Sequence, residues 1–225
     1  MRALKILQNE PGMLPVAERG GFACVEQTLS AEAARAEAAR CLQCSTFCDK
    51  CVEVCPNRAN YTYHVAPGRW TLPVLACHDG ALVKAGEEGF QVTQPRQIVH
   101  IEDFCNECGN CATFCVHRGK PYLDKPRLFL NEDDFLAAEG TVYRLEGETL
   151  RRREGGREAR LTAKDGALAY EDGRVRLDLS PELEVREMAL EQAFEGTLSL
   201  RAAVEMATIL VGLRNSLPFL ADAGG

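Results

Sequence analysis

The stretch Cys105-Asn-Glu-Cys108-Gly-Asn-Cys111-Ala-Thr-Phe-Cys115 decides how this chain is read. Its spacing, C-x2-C-x2-C-x3-C, is that of bacterial-type iron–sulfur ferredoxins. In that arrangement three thiolates on a tight turn reach three irons of one cubane, and the fourth points away to ligate a second cluster. A complementary run is therefore required, and it lies upstream as Cys41-Leu-Gln-Cys44-Ser-Thr-Phe-Cys48-Asp-Lys-Cys51-Val-Glu-Val-Cys55-Pro56. Its last four cysteines read C-x3-C-x2-C-x3-C-P, one residue longer in the first gap than the standard run.

Two [4Fe–4S] clusters need eight thiolates, and the two runs supply nine. Counting back from Cys48, the standard first ligand falls on Ser45, so Cys44 or Cys41 must take its place. Cys44 is nearer in sequence. The expected first cluster is then held by Cys44, Cys48, Cys51 and Cys115, and the second by Cys105, Cys108, Cys111 and Cys55, with Cys41 as the alternative to Cys44. Val116 departs from the Cys-Pro pattern that Cys55-Pro56 keeps. Gly109, inside the second run, lets the backbone turn tightly.

Two plainer readings of eleven cysteines compete with this one. Disulfides need an oxidising compartment, yet the opening Met-Arg-Ala-Leu-Lys-Ile-Leu-Gln-Asn-Glu-Pro shows no apolar export signal. Zinc usually takes two Cys-x2-Cys pairs set far apart, whereas these ligands follow one another at short gaps. A zinc-binding interaction domain stays as the third-ranked function, and it predicts a colourless protein.

At 225 residues and 46% hydrophobic, the chain is long enough to bury a real core. A net charge of −7 argues against sequence-independent nucleic-acid binding, which relies on Lys and Arg meeting phosphates. The apolar stretch Met206-Ala-Thr-Ile-Leu-Val-Gly-Leu213 is too short to span a bilayer. Reduced thiols and acidity point to a cytoplasmic setting.

Along the chain, residues 1–40 read as a linker followed by a helix: Pro11, Pro15 and Gly20-Gly21 punctuate the start, and Ser30 caps the run Ala-Glu-Ala-Ala-Arg-Ala-Glu-Ala-Ala-Arg that delivers the chain to Cys41. Residues 41–125 read as the ferredoxin-like core. There Asn60-Tyr-Thr-Tyr-His-Val65 and Gln97-Ile-Val-His-Ile101 form an antiparallel strand pair, and 66–96 form an inserted β-hairpin with strands near 70–76 and 90–94. Residues 126–225 read as a β-rich accessory region: short strands at 141–145, 149–153, 159–162, 167–170 and 174–179 form an antiparallel meander, and a helix over 198–215 packs on it. The fold class is thus α+β, a two-[4Fe–4S] ferredoxin-like core with a hairpin insertion, a meander and a C-terminal helix.

Other reactive residues have ordinary explanations. Cys77-His78 lie side by side on a strand and so face opposite ways, which favours a buried thiol beside a surface histidine over a nucleophile with its base. Cys24 reads as a small core residue. His64, His100 and His117 could tune a cluster, but strand or loop histidines without such a role are the stronger reading. Arg151-Arg152-Arg153 could dock an acidic partner, with a solvated hairpin face preferred. No Gly-x-Gly-x-x-Gly fingerprint follows a strand, and there is no Walker loop or hydrolytic triad. Nothing here takes hydride from a nicotinamide.

Ala39-Arg-Cys-Leu-Gln-Cys44, Cys51-Val-Glu-Val-Cys-Pro-Asn-Arg-Ala-Asn60, Phe104-Cys-Asn-Glu-Cys-Gly-Asn-Cys-Ala-Thr-Phe-Cys115 and Gly119-Lys-Pro-Tyr-Leu-Asp-Lys-Pro-Arg-Leu-Phe129 together resemble a known family. It is the ferredoxin-like C-terminal part of the selenate reductase iron–sulfur subunit, related to the glutamate synthase small subunit and dihydropyrimidine dehydrogenase. The likeness runs over residues 25–220. It implies a flavoprotein partner, as domain or subunit, that carries FAD and uses NAD(P)H, and a molybdenum hydroxylase-type reductase as a further partner. The function expected is relay of single electrons between the flavin unit and a terminal oxidoreductase, with no catalytic residues in this chain. A redox-silent iron–sulfur docking module is the alternative.

Overall fold

The computed structural model describes residues 7–40, 48–164 and 166–222, so Cys41, Cys44 and Asp165 lie outside the described residues. The chain divides into two compact units, residues 1–48 and 49–225. In the first, helix α1 (Ala31–Ala39) forms where an alanine-rich run follows a capping serine, and the Ser30 hydroxyl accepts from the Ala33 N–H. None of its residues is buried. An isolated antiparallel bridge joins Met13 to Glu26, and the Asn9 N–H donates to Glu37 Oε2 at 2.8 Å.

The second unit begins with a one-turn helix α2 (Lys50–Glu53) and strand β1 (Asn60–His64). A long hairpin follows, β2 (Gly68–His78) and β3 (Ala81–Val92), and then β4 (Arg96–Ile101). The expected pair is present as β1 and β4, antiparallel with Asn60 opposite His100. The hairpin is longer than the sequence suggested. Asp79 and Gly80 both have positive φ, 49° and 77°, which is the two-residue turn geometry whose twist matches the flanking strands.

After β4 come α3 (Asn110–Thr113), α4 (Pro121–Asp124), β5 (Arg127–Phe129) and α5 (Glu132–Ala137). The meander is β6 (Val142–Glu146), β7 (Thr149–Glu154), β8 (Arg157–Lys164), β9 (Ala167–Glu171), β10 (Val175–Leu179) and β11 (Val185–Leu190). A short β12 (Thr197–Ser199) precedes helix α6 (Arg201–Ser216), and α7 (Phe219–Asp222) ends the described chain.

Nine strands form one sheet in the order β1-β4-β5-β6-β7-β8-β9-β10-β11, and β12-β2-β3 form a second. The larger sheet runs straight across residue 126, where the sequence reading divided the cysteine core from the accessory region. The join is β5, which pairs in parallel with β4 on one side and β6 on the other. Three residues with no alternation gave no sign of it.

Helix α6 begins later than expected because Thr197–Ser199 is drawn into β12, paired with β2. Ala203, Val204, Met206, Ala207, Ile209, Leu210 and Leu213 recur at helical spacing and are buried. Each large apolar side chain so buried contributes about 1.5–3 kcal/mol relative to exposure. They join Tyr63, Leu72, Leu75, Val99, Leu150, Leu161 and Leu177 in one core that spans both sheets. Gly212 is required by packing: a Cβ there would stand 2.4 Å from Tyr63 Cδ2. Among the described residues no helix is long and apolar enough to cross a membrane.

Candidate cysteine site

Two loops, 60 residues apart in sequence, are built alike. In the first, Val52 N–H donates to Asp49 O and Val54 N–H to Lys50 O; in the second, Ala112 N–H donates to Gly109 O and Phe114 N–H to Asn110 O. Each single helical turn ends at a cysteine. Arg58 N–H then returns to Cys55 O, and Arg118 N–H to Cys115 O. Both arginines are left-handed, with φ of 54° and 56°, a conformation that costs an L-residue about 1–2 kcal/mol. The turn aims the next amide back at the thiol: Ala59 N–H reaches Cys55 Sγ at 3.2 Å, and Gly119 N–H reaches Cys115 Sγ at 3.3 Å. Helix α2 packs against α3, and Cys51 and Cys111 are buried together with Ile98.

Cys55, Cys105, Cys108 and Cys111 line a single small cavity, with Asn60, His100, Gly109 and Tyr122 among its other walls. This brings a thiol from the first run together with three from the second. Gly109, at φ 79°, supplies the left-handed turn that starts α3. Glu107 is also left-handed, and its N–H donates to Cys105 Sγ at 3.3 Å. Burial pushes the Cys105 thiol up; the Glu107 N–H opposes this, while Glu102, Cys55 and Cys111 add to it. Among the described residues no three His, Cys, Asp or Glu side chains converge closely enough to hold a single metal ion. The donor set nevertheless fits a cysteine-ligated group. Four cysteines line one cavity, two of their sulfurs already accept backbone N–H bonds, and four left-handed residues shape the loops.

The floor of the cavity is β4 and β1. Asn60 and His100, 2% and 1% exposed, face each other across the pair, with His100 Nδ1 2.9 Å from Asn60 Oδ1. Asn60 Nδ2 donates to the Cys51 carbonyl at 3.0 Å. Burial holds the His100 ring below the ordinary imidazole range; Glu102 works against this and Arg127 with it. Arg127 grips Glu102 with two bonds of 2.9 and 3.0 Å, and both Asp103 carboxylate oxygens accept from the N–H groups of Leu130 and Asn131. These contacts tie the start of the second cysteine run to the end of β5.

The other expected set is less completely described. Cys115 is half-buried and Cys51 buried, and neither lines the cavity above. Cys48 is exposed and belongs to the first unit, while Cys44 and Cys41 lie outside the described residues.

The structure also places the remaining reactive residues. Cys24 is exposed, with its thiol donating to Glu26 O, and is no core residue. Cys77 is half-buried beside an exposed His78. Arg151 is no solvated face: it is 7% exposed, lies over the Phe135 ring, and bonds Glu132, Glu146 and Glu158. Period-two alternation could not show this, since the charges that bury it come from α5 and from neighbouring strands. Of the three histidines considered as tuning groups, His64 and His117 are exposed and His100 is buried at the cavity.

No protein-family model matches the chain, and no solved structure matches it. Among curated proteins it is similar to "Putative oxidoreductase YgfK" of Escherichia coli strain K12, 43% identical over 99 residues. The aligned part is 44% of this chain and 7% of the relative. The protein of the same name from Escherichia coli O157:H7 matches to the same extent. The chain thus spans a small part of the length of these relatives, and a redox role is compatible with their name.

Proposed function

We propose that this chain is an iron–sulfur electron-transfer module that binds two [4Fe–4S] clusters and relays single electrons between a flavin/NAD(P)H unit and a terminal oxidoreductase of the selenate reductase type. The observation that carries it is the cavity shared by Cys55 and by Cys105, Cys108 and Cys111, which is the crossed grouping that two interlocked ferredoxin runs require. Those four would hold one cluster. Cys48, Cys51 and Cys115, with Cys44 or Cys41, would hold the other. Bound clusters supply one-electron redox chemistry, and the chain's own residues do the rest. The amides of Ala59, Glu107 and Gly119 donate to cysteine sulfurs, and such bonds favour added negative charge there. Ile98, Val52 and Tyr122 pack around Cys51 and Cys111 and limit water at the sulfurs. Hydride chemistry belongs to the flavin partner, since flavins convert two-electron donors to single-electron steps.

Iron and sulfide analysis with a visible spectrum of anaerobically purified protein tests the metal assignment. A brown protein with near-equal iron and sulfide is expected, and a colourless protein containing zinc would overturn it. Reductive titration followed by EPR tests the relay. Clusters that no physiological donor can reduce would leave the docking-module alternative in its place.

A further inference from the structure

Resting on that iron–sulfur reading, we propose that Asn60 and His100 are a positioning pair that holds an unprotonated imidazole nitrogen beside the thiol cavity and so lowers the reduction potential of the cluster bound there. A chain of hydrogen bonds fixes the proton. The Cys51 carbonyl can only accept, so the Asn60 atom 3.0 Å from it is the amide nitrogen, acting as donor. The Asn60 oxygen then faces His100 Nδ1 at 2.9 Å, and an amide oxygen also only accepts. Nδ1 therefore carries a proton, and in the neutral ring, the form that burial favours, Nε2 carries a lone pair.

That nitrogen is buried and has no hydrogen-bond partner among the described residues. Glu102 Oε2 stands 3.6 Å away, beyond hydrogen-bond reach, and its carboxylate is engaged by Arg127. A buried polar atom without a partner is uncommon and calls for an explanation. Here the ring and its asparagine both line the cavity that Cys55, Cys105, Cys108 and Cys111 share. The unprotonated nitrogen is the negative end of the ring dipole. Held in the wall of the cavity that those cysteines line, it disfavours the negative charge their sulfurs gain on reduction, and the low local dielectric strengthens the effect. Asn60 therefore sets which end of the imidazole the site presents, and the same residue ties that choice to the backbone of Cys51 in the other run.

The test is an EPR-monitored potentiometric titration of the full chain, loaded anaerobically, as wild type, His100→Leu and Asn60→Leu, with iron and sulfide content measured on each. His100→Leu removes the dipole. Asn60→Leu releases Nδ1, so the ring can turn an N–H toward the cavity. Both variants are expected to favour the reduced form of this cluster by about tenfold, which is about 59 mV for one electron. A potential that is unchanged or lower at normal loading, in either variant, overturns the proposal while leaving the iron–sulfur reading intact. Wild-type protein without iron and sulfide removes that reading itself. Should the variants fail to load, pulsed EPR of reduced wild-type protein carrying 15N-histidine gives the answer directly: a nitrogen coupling to this cluster is expected, and its absence overturns the pair's role.

Discussion

The loops at 49–60 and 109–120 share a helical turn, a left-handed arginine and an amide-to-sulfur bond, yet they continue into different structures. After Arg58 the chain passes through Ala59, 0% exposed, into β1, which lies under α6. After Arg118 it passes through Gly119 into the short helix α4, whose Leu123 is 49% exposed. The same local geometry is thus anchored in the core on one side and left near the surface on the other. Local backbone form at a cysteine is set by a few hydrogen bonds, whereas how firmly it is held depends on what the next element packs against.

The largest expected effect breaks the symmetry outright. Because Cys55 lines the cavity of the second run and Cys115 does not, Cys55→Ser should abolish the cluster proposed for Cys105, Cys108 and Cys111, and Cys115→Ser the one proposed for the other set. Cluster-resolved EPR with iron analysis reads this, and loss of the opposite cluster in each variant would show the grouping to be wrong.

Next comes the anchoring of β1. Gly212→Ala puts a Cβ within 2.9 Å of both Tyr63 and Val65 side-chain atoms, an overpacking expected to cost about 1–3 kcal/mol. The midpoint of denaturant unfolding measures it; a change below a few tenths of a kcal/mol would mean that α6 does not clamp the first loop's strand.

A smaller contrast compares the two residues after the arginines. Ala59→Gly loses a buried methyl and gains backbone freedom, about 1–2 kcal/mol in all. Gly119→Ala meets mainly the movable end of Asp124, at 2.9 Å, and should change stability by no more than about 0.5 kcal/mol. Equal costs at the two sites would erase the distinction between anchored and surface loops.

Smallest is relief of the left-handed arginines. Arg58→Gly and Arg118→Gly should each stabilise by up to about 1 kcal/mol, the strain relieved less the freedom glycine adds to the unfolded chain. Destabilisation by either would assign that arginine side chain a role beyond filling the turn.

How much of this the sequence carried depends on the range of the interaction involved. The β1–β4 pair, the hairpin and five strands of the meander could be read, because alternation and Asp-Gly or Gly-Gly turns are encoded within a few residues. Strands β5 and β12, three residues each, could not, since their pairing is set by distant partners. Strand β11 has an exposed face and lacks the alternation that marks a half-buried strand. At the site, the four cysteines that line the cavity were visible as spacing. The 60-residue repeat extends past the cysteines to Arg58/Arg118 and Ala59/Gly119, and aligning the two runs on Cys55 and Cys115 would have found it. His100 could not be separated from the other histidines, because its hydrogen-bond partner Asn60 lies 40 residues earlier.

Helix α6 gives the molecule a schedule as well as a core. It packs on β1 and on β7 and β8, so the strand that follows Cys55 is not fully covered until residue 216 has left the ribosome. About 100 residues separate Cys115 from that point, and at 5–20 residues per second their synthesis takes roughly 5–20 s. Through that interval all the cysteines have been made while their supporting layer has not. A nascent chain in this state exposes Tyr63 and Val99 to water, and metal delivered then would meet thiols whose framework is still loose.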